Sequence, residues 1–181
     1  MAAIREKREV SYDDFLAVAQ ALVSSGFTNP QHLGVFGTSN GGLLSATVAV
    51  ERPDLFGAVV SDAPLIDMLR FPSMGMRGAW MNEYGDPSNA AMRQALLRYS
   101  PFHNIKSGTG YPPFFITVST EDNRVGPQVT RENLPHAWSR WAPRRITTKT
   151  VKVATASAMR CSAQNLWRCA WANAPGLFMW S

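Results

Sequence analysis

Gly37-Thr38-Ser39-Asn40-Gly41-Gly42 is the stretch that decides the fold, because it separates an apolar run from a helical one. The run from His32 to Phe36 predicts a strand, and the segment from Gly41 to about Arg52 predicts a helix. Glycines on both sides of Ser39 permit a sharp turn that lifts a hydroxyl clear of a sheet. Strand, Gly-x-Ser-x-Gly and helix in this order form a nucleophile elbow, which predicts that Ser39 is a catalytic serine.

The segments around this motif predict a parallel sheet. Apolar residues recur at helical spacing over Asp13–Val23, which predicts an amphipathic helix before the elbow. The short apolar run Gly57–Ser61 is typical of a buried parallel strand, and Phe114–Ser119 is the clearest strand in the chain. Residues 62–113 are rich in turn residues and predict one short helix, over Asn89–Leu97. The order strand, helix, strand indicates an α/β fold.

Asp122 follows the strand Phe114–Ser119 within a few residues. Catalytic groups of open parallel sheets collect at the carboxyl ends of the strands, so Asp122 lies where a triad acid would lie. The alternative is that Asp122 only caps a following turn.

Charge divides the chain near residue 128. Residues 1–128 contain 10 Lys and Arg against 12 Asp and Glu, whereas residues 129–181 contain 8 against 1. Five of the six tryptophans and both cysteines also lie after residue 128. No long uncharged apolar segment or secretory signal is visible, which predicts a soluble cytoplasmic protein without a membrane partner.

Several separated segments within residues 5–128 together carry a family resemblance. They are Tyr12-Asp13-Asp14-Phe15, Gly37 to Gly42, Arg52 to Val59, Trp80 to Pro87, Tyr99 to Asn104 and Asp122-Asn123-Arg124-Val125. In this order they resemble the catalytic domain of the prolyl oligopeptidase family of serine peptidases. The resemblance implies a three-layer α/β hydrolase fold with a mostly parallel sheet, of which residues 1–128 form a part.

The resemblance also implies a role for each matching residue. Ser39 is the nucleophile, Asp122 is the acid that orients the catalytic histidine, and the backbone N–H of Asn40 is an oxyanion donor. Trp80 matches the aromatic side chain that packs on a substrate proline, and Arg124 matches the arginine that binds a substrate carbonyl. Trp80 could instead be a core aromatic, and Arg124 could be a solvated surface charge.

The implied activity is hydrolysis of short peptides after proline through a Ser-Asp-His triad, with no metal or organic cofactor. An esterase or acylaminoacyl peptidase on the same scaffold is a close alternative, although Trp80 with Arg124 favours a peptide substrate. The other alternative is a catalytically dead fragment or an interaction segment. The basic, tryptophan-containing tail could imitate a nucleic-acid binder, but we expect no nucleic-acid partner for the reason that follows.

The histidine of the triad is missing from its expected place. His32 and His103 lie in segments where a structural role is the better interpretation, and His136 lies about half as far downstream of Asp122 as the family's histidine. The tail offers an explanation. When Ile146 to Thr155 is read one base out of phase, the fixed bases permit Tyr-Tyr-Tyr-Glu-Asn-Gly-Glu-Gly-Gly-His, which resembles the closing motif of the family.

We therefore expect residues 129–181 to be an out-of-frame, poorly ordered tail, which also explains the abrupt change in composition. The resemblance further implies upstream strands, a second oxyanion donor and a β-propeller, none of which is in this sequence. A chain without the base and the full oxyanion hole is predicted to be inactive as translated.

Overall fold

The computed structural model describes residues 3–73, 77–119, 146–151 and 177–180. In these ranges a single sheet has the strand order β4-β3-β2-β1-β5, and every neighbouring pair is parallel. The strands are β1 (Leu33–Thr38), β2 (Ala58–Asp62), β3 (Phe114–Ser119), β4 (Ile146–Val151) and β5 (Leu177–Trp180). A parallel sheet places the carboxyl ends of its strands along one edge.

The strands β1 and β2 end in register, and β3 continues two residues further, to Ser119. Thr38 of β1 lies opposite Asp62 of β2, and Asp62 lies opposite Thr117 of β3. The Thr117 hydroxyl donates a hydrogen bond to the Asp62 carboxylate. These contacts bring the ends of β1, β2 and β3 together, so that the loops following them start close to one another.

Five α-helices lie within the described ranges. They are α1 (Glu9–Ser24), α2 (Asn40–Glu51), α3 (Arg77–Tyr84), α4 (Ala90–Tyr99) and the single turn α5 (Pro101–Asn104). The helix α2 packs against β1 and β2 and is buried over most of its length. Its Ser45 hydroxyl lies 2.8 Å from the Ser61 hydroxyl of β2, so the two buried polar groups satisfy each other.

The core lies between the sheet and these helices. The strands β1 and β2 are buried almost throughout, as expected for parallel strands covered on both faces. The largest fully buried side chains include Tyr12 of α1, Leu43 of α2, Phe71, Tyr84 of α3 and Phe114 of β3. One continuous core therefore joins the elbow region to α3.

The elements predicted around the elbow are present, with ends that differ by a few residues. The predicted helix at Asp13–Val23 is α1, and the predicted helix at Asn89–Leu97 is α4, which begins after Asn89 caps it. The helices α3 and α5 were not predicted. Turn residues in 62–113 concealed them, and α3 lacks a strong amphipathic pattern because its buried side chains include the polar Tyr84.

Two segments of the tail predicted to be out of frame and poorly ordered form strands. Residues 146–151 pair with β3 at one edge of the sheet, and residues 177–180 pair with β1 at the other. The division of the chain near residue 128 and the out-of-frame origin of 129–181 stay predictions. In the described part of the chain, no helix combines the length and apolar character needed to cross a bilayer.

Candidate active site

Ser39 lies at the turn between β1 and α2 in a strained backbone conformation. Its φ is 57° and its ψ is −112°, outside the regions that residues with a side chain normally adopt. Its N–H donates to the Asp62 carbonyl over 2.8 Å, and its carbonyl accepts from Leu43 N–H over 3.1 Å. Such strain persists only where surrounding contacts impose it, and it is concentrated at functional sites.

Close packing explains the glycines of the elbow. A Cβ on Gly37 would lie 1.9 Å from the Gly41 carbonyl oxygen, so the first turn of α2 touches the end of β1. A Cβ on Gly42 would lie 3.0 Å from the Asp62 carbonyl oxygen and from Pro64. The glycines therefore let α2 approach the sheet closely, and this approach fixes where the turn holds Ser39.

Asn40 is the first residue of α2 and joins a hydrogen-bond network through its side chain. Its Oδ1 accepts from the Arg8 guanidinium over 2.5 Å and from the Tyr84 hydroxyl over 2.6 Å. Its backbone N–H is in the first turn of the helix, where N–H groups have no partner within the helix. A helix start directly after Ser39 offers positive potential to a developing oxyanion.

Trp80 lies on α3 and stacks on Tyr84. The ring centroids are 5.8 Å apart, and the planes are inclined by 14°. The Trp80 side chain is half-buried against the core, and its Nε1 is buried without a hydrogen-bond partner among the described residues. Because Tyr84 also contacts Asn40, the aromatic pair is connected to the elbow by one hydrogen bond.

The buried tyrosines of this region hold their protons. Burial raises the pKa of the Tyr12 hydroxyl to about 12, although the nearby Arg8 cation opposes this shift. Burial also raises the pKa of Tyr84 and of Tyr99 well above the usual range. All three hydroxyls are therefore neutral near neutral pH, and Tyr84 is a hydrogen-bond donor to Asn40.

Comparison with known proteins identifies the family. Residues 1–133 match the sequence model of the prolyl oligopeptidase family. A peptidase of Sinorhizobium fredii is 44% identical over 131 residues, which are 72% of this chain and 18% of that protein. A prolyl endopeptidase of Dictyostelium discoideum is 36% identical over 127 residues, which are 70% of this chain and 17% of that protein. The chain belongs to the prolyl oligopeptidase family.

Solved structures from this family share the fold. One structure, from a study of two prolyl endopeptidases, matches with a TM-score of 0.86 and 31% identity, over 97% of this chain and 25% of that one. A post-proline cleaving enzyme from Rickettsia typhi matches with a TM-score of 0.79 and 34% identity, over 83% of this chain and 22% of that one. These matches confirm the predicted partial α/β hydrolase fold. The chain spans 17% to 18% of the length of the curated relatives named above.

The five predicted site residues of this prolyl oligopeptidase family member divide into two groups. Ser39, Asn40 and Trp80 lie in the described structure, and the Asn40–Tyr84 hydrogen bond and the Tyr84–Trp80 stack connect the last two. Asp122 and Arg124 lie outside the described residues. Their roles stay predictions.

Two of the three candidate histidines lie in the described structure. His32 precedes β1, whose six residues place it about 20 Å from the end that carries Ser39. His103 Nδ1 lies 2.8 Å from the Ser100 hydroxyl, and burial lowers the pKa of this imidazole. His136 lies outside the described residues.

Sequence reasoning missed Arg8 and Tyr84 as members of the site. Tyr84 follows Trp80 by four residues, and this helical spacing was the signal that could have paired their rings. Arg8 lies within a charged N-terminal run and resembles a solvated residue in the sequence. Its side chain is only 11% exposed, which only the fold reveals.

Proposed function

We propose that Ser39 is the nucleophile of a serine peptidase that hydrolyses short peptides after proline. The strained turn that holds Ser39 at the start of α2 is the observation that carries this proposal. A serine held at such a turn projects its hydroxyl from the sheet edge and has helix N–H groups beside it. Membership of the prolyl oligopeptidase family supports the peptidase chemistry.

The proposed reaction is acyl transfer to water. The Ser39 hydroxyl attacks the peptide carbonyl while a histidine takes its proton, and the oxyanion accepts a hydrogen bond from Asn40 N–H. The histidine then protonates the leaving amine, and water releases the acyl group by the same steps in reverse order. Asp122 orients the histidine and stabilises the imidazolium.

Substrate selection is assigned to Trp80 and to Arg124. The exposed part of Trp80 would pack on the proline ring of the substrate, because a flat aromatic ring offers a large contact area at low entropic cost. Arg124 would bind a peptide carbonyl. Relatives named as prolyl endopeptidases support peptide rather than ester substrates, and we include a cytoplasmic location in the proposal.

The test uses a gene whose reading frame is restored after codon 129 and which is extended to the length of the relatives. We expect the product to cleave a Gly-Pro reporter peptide. Ser39→Ala and Asp122→Ala should each lower kcat by about a thousandfold or more, because the triad acts as a unit. Asp54→Ala, which removes an exposed carboxylate paired with Arg52, is the matched control and should leave kcat unchanged. Unaltered cleavage by the Ser39 variant would contradict the proposal.

A further inference from the structure

Arg8 is a partly buried cation that contacts three parts of the site region. Its side chain is 11% exposed, and its Nη1 lies 2.7 Å from the Glu83 carboxylate. Its Nη2 donates to Asn40 Oδ1 over 2.5 Å. Its guanidinium carbon lies 5.1 Å from the centre of the Tyr84 ring. A residue that precedes α1 therefore joins the start of α2 to the last turn of α3.

The network fixes the orientation of the Asn40 amide. The Arg8 guanidinium has only donors, and the neutral Tyr84 hydroxyl donates to the same atom over 2.6 Å. Two donors on one atom require that atom to be the amide oxygen rather than the nitrogen. The Asn40 side chain is thus held between Arg8 and Tyr84 in one orientation.

Stability alone does not explain this partly buried arginine, whose partner Glu83 is 36% exposed. Removing a guanidinium from water costs free energy, and a buried ion pair is often no more stabilising than apolar side chains of the same volume. Burial by itself lowers the pKa of Arg8, but the nearby Tyr12, Tyr84 and Glu83 side chains outweigh this effect and raise it. The cation therefore persists, and its planar fork suits two acceptors at fixed directions.

We propose that Arg8 is a positioning residue that holds Asn40, and with it the first turn of α2, in a fixed position relative to the Trp80–Tyr84 pair. Its effect on the site passes through Asn40 and Tyr84, and Arg8 itself touches no substrate. The importance of this arrangement for catalysis rests on the function proposed above. The arrangement itself exists in the chain without substrate.

The experiment compares Arg8→Met, Arg8→Lys and Asn40→Ala in the 181-residue chain, with Arg98→Met as the matched control. Arg98 also forms a long-range arginine–glutamate pair, with Glu9, but the Arg98 side chain is 50% exposed. Each chain is produced with 5-fluorotryptophan, and the fluorine resonance of Trp80 is assigned with Trp80→Phe. We expect Arg8→Met to shift or broaden the Trp80 resonance and Arg98→Met to leave it in place. Arg8→Lys should give an intermediate shift, because a single ammonium nitrogen replaces the two guanidinium nitrogens that contact Glu83 and Asn40 from separate positions.

A double-mutant cycle tests whether Arg8 acts through Asn40. We expect the unfolding equilibrium constant of Arg8→Met with Asn40→Ala to be at least fivefold below the product expected from the single variants. An unmoved Trp80 resonance, or single effects that multiply independently, would overturn the proposal. Should Arg8→Met not fold, the same two measurements on Arg8→Lys decide.

Binding of a ligand tests the proposed function separately from the role of Arg8. The probe is a peptidyl-proline boronic acid, which can form a tetrahedral adduct with a serine hydroxyl. In the frame-restored, extended protein we expect Arg8→Met to weaken its binding at least fivefold, and less than twofold in the Asn40→Ala background. Failure of that extended protein to bind the probe counts against the proposed function, whereas the fluorine resonance and the unfolding cycle of the 181-residue chain still decide the role of Arg8.

Discussion

The Ser39 backbone N–H donates to the Asp62 backbone carbonyl over 2.8 Å, which ties the elbow to the end of β2. Thr38, the residue before it, lies opposite Asp62 in the strand register. On the other side, the Ser39 carbonyl accepts from Leu43 N–H in the first turn of α2. Ser39 is therefore held on both sides of its Cα, and the sheet and the helix together impose its positive φ.

This strain predicts an unusual order of stability at position 39. Glycine adopts a positive φ without a steric penalty, whereas alanine keeps the Cβ that causes the strain. The Ser39 side chain makes no capping hydrogen bond to α2, so alanine loses no such bond. We expect Ser39→Gly to be about 1 kcal/mol more stable than Ser39→Ala, as measured by urea unfolding. Equal stability, or a more stable alanine variant, would show that the turn is unstrained.

Gly37 is predicted to be intolerant of the smallest side chain. Its Cβ would overlap the Gly41 carbonyl oxygen at 1.9 Å, and a backbone atom in the helix cannot move aside as a flexible side chain can. We expect Gly37→Ala to lower the free energy of unfolding by about 3 kcal/mol, the upper end for overpacked sites. Gly110→Ala is the control, because Gly110 is exposed and a Cβ there meets nothing within 4 Å. Similar unfolding curves for the two variants would refute this packing argument.

The elbow and its flanking elements could be predicted because local sequence determines them. Glycine at fixed offsets from Ser39, an apolar strand before it and a helix after it are all short-range signals. The same holds for the parallel sheet, since the apolar runs of β2 and β3 are continuous in sequence. Asn40 could be placed because it adjoins Ser39.

The Arg8 network could not be predicted, because it depends on long-range contacts. Arg8 and Glu83 are 75 residues apart in sequence, and Arg8 and Asn40 are 32 apart. Nothing in a charged N-terminal run distinguishes a buried arginine from a solvated one. The helix α3 was missed for a related reason, since its sequence has only a weak apolar pattern and its Tyr84 is buried by tertiary packing.

The raised pKa of Tyr12 predicts that the protein loses stability in alkali. Burial raises the pKa of its hydroxyl from the usual 10 to about 12. Above pH 10 the unfolded chain releases this proton while the folded chain keeps it, so the free energy of unfolding should fall between pH 10 and pH 12. The expected slope is roughly 1.4 kcal/mol per pH unit for one such group. Urea unfolding across this range measures it.

Tyr12→Phe is the variant that isolates this effect. The slope between pH 10 and pH 12 should become shallower without vanishing, because Tyr84 and Tyr99 also have raised pKa values. At neutral pH the two chains should differ by a constant amount. An identical alkaline slope in both chains would mean that Tyr12 is not the titrating group.

The coding DNA gives a direct test of the tail. We expect that one inserted or deleted base near codon 129 restores a Gly-Gly-His run in the place of Val153 to Thr155. The family match ends at residue 133, close to this boundary, which supports the prediction. Stop codons in the alternative frame, or no histidine codon at that place, would refute the frameshift and return His136 to consideration as the base.

The 181-residue chain itself should not cleave a Gly-Pro reporter at a measurable rate. A serine hydroxyl at its ordinary pKa needs a base within hydrogen-bond reach. His32 precedes the far end of β1, and His103 Nδ1 is occupied by the Ser100 hydroxyl. Loss of one triad member costs orders of magnitude, and the rate that survives depends on the oxyanion hole and on substrate binding. The measurement compares the purified chain with its Ser39→Ala variant at equal concentration, and we expect both progress curves to match the buffer blank. Turnover by the parent chain that Ser39→Ala abolishes would contradict this expectation. In that case, loss of turnover in His136→Ala relative to the parent chain would identify His136 as the base. It would also show that residues 129–181 belong to the working enzyme.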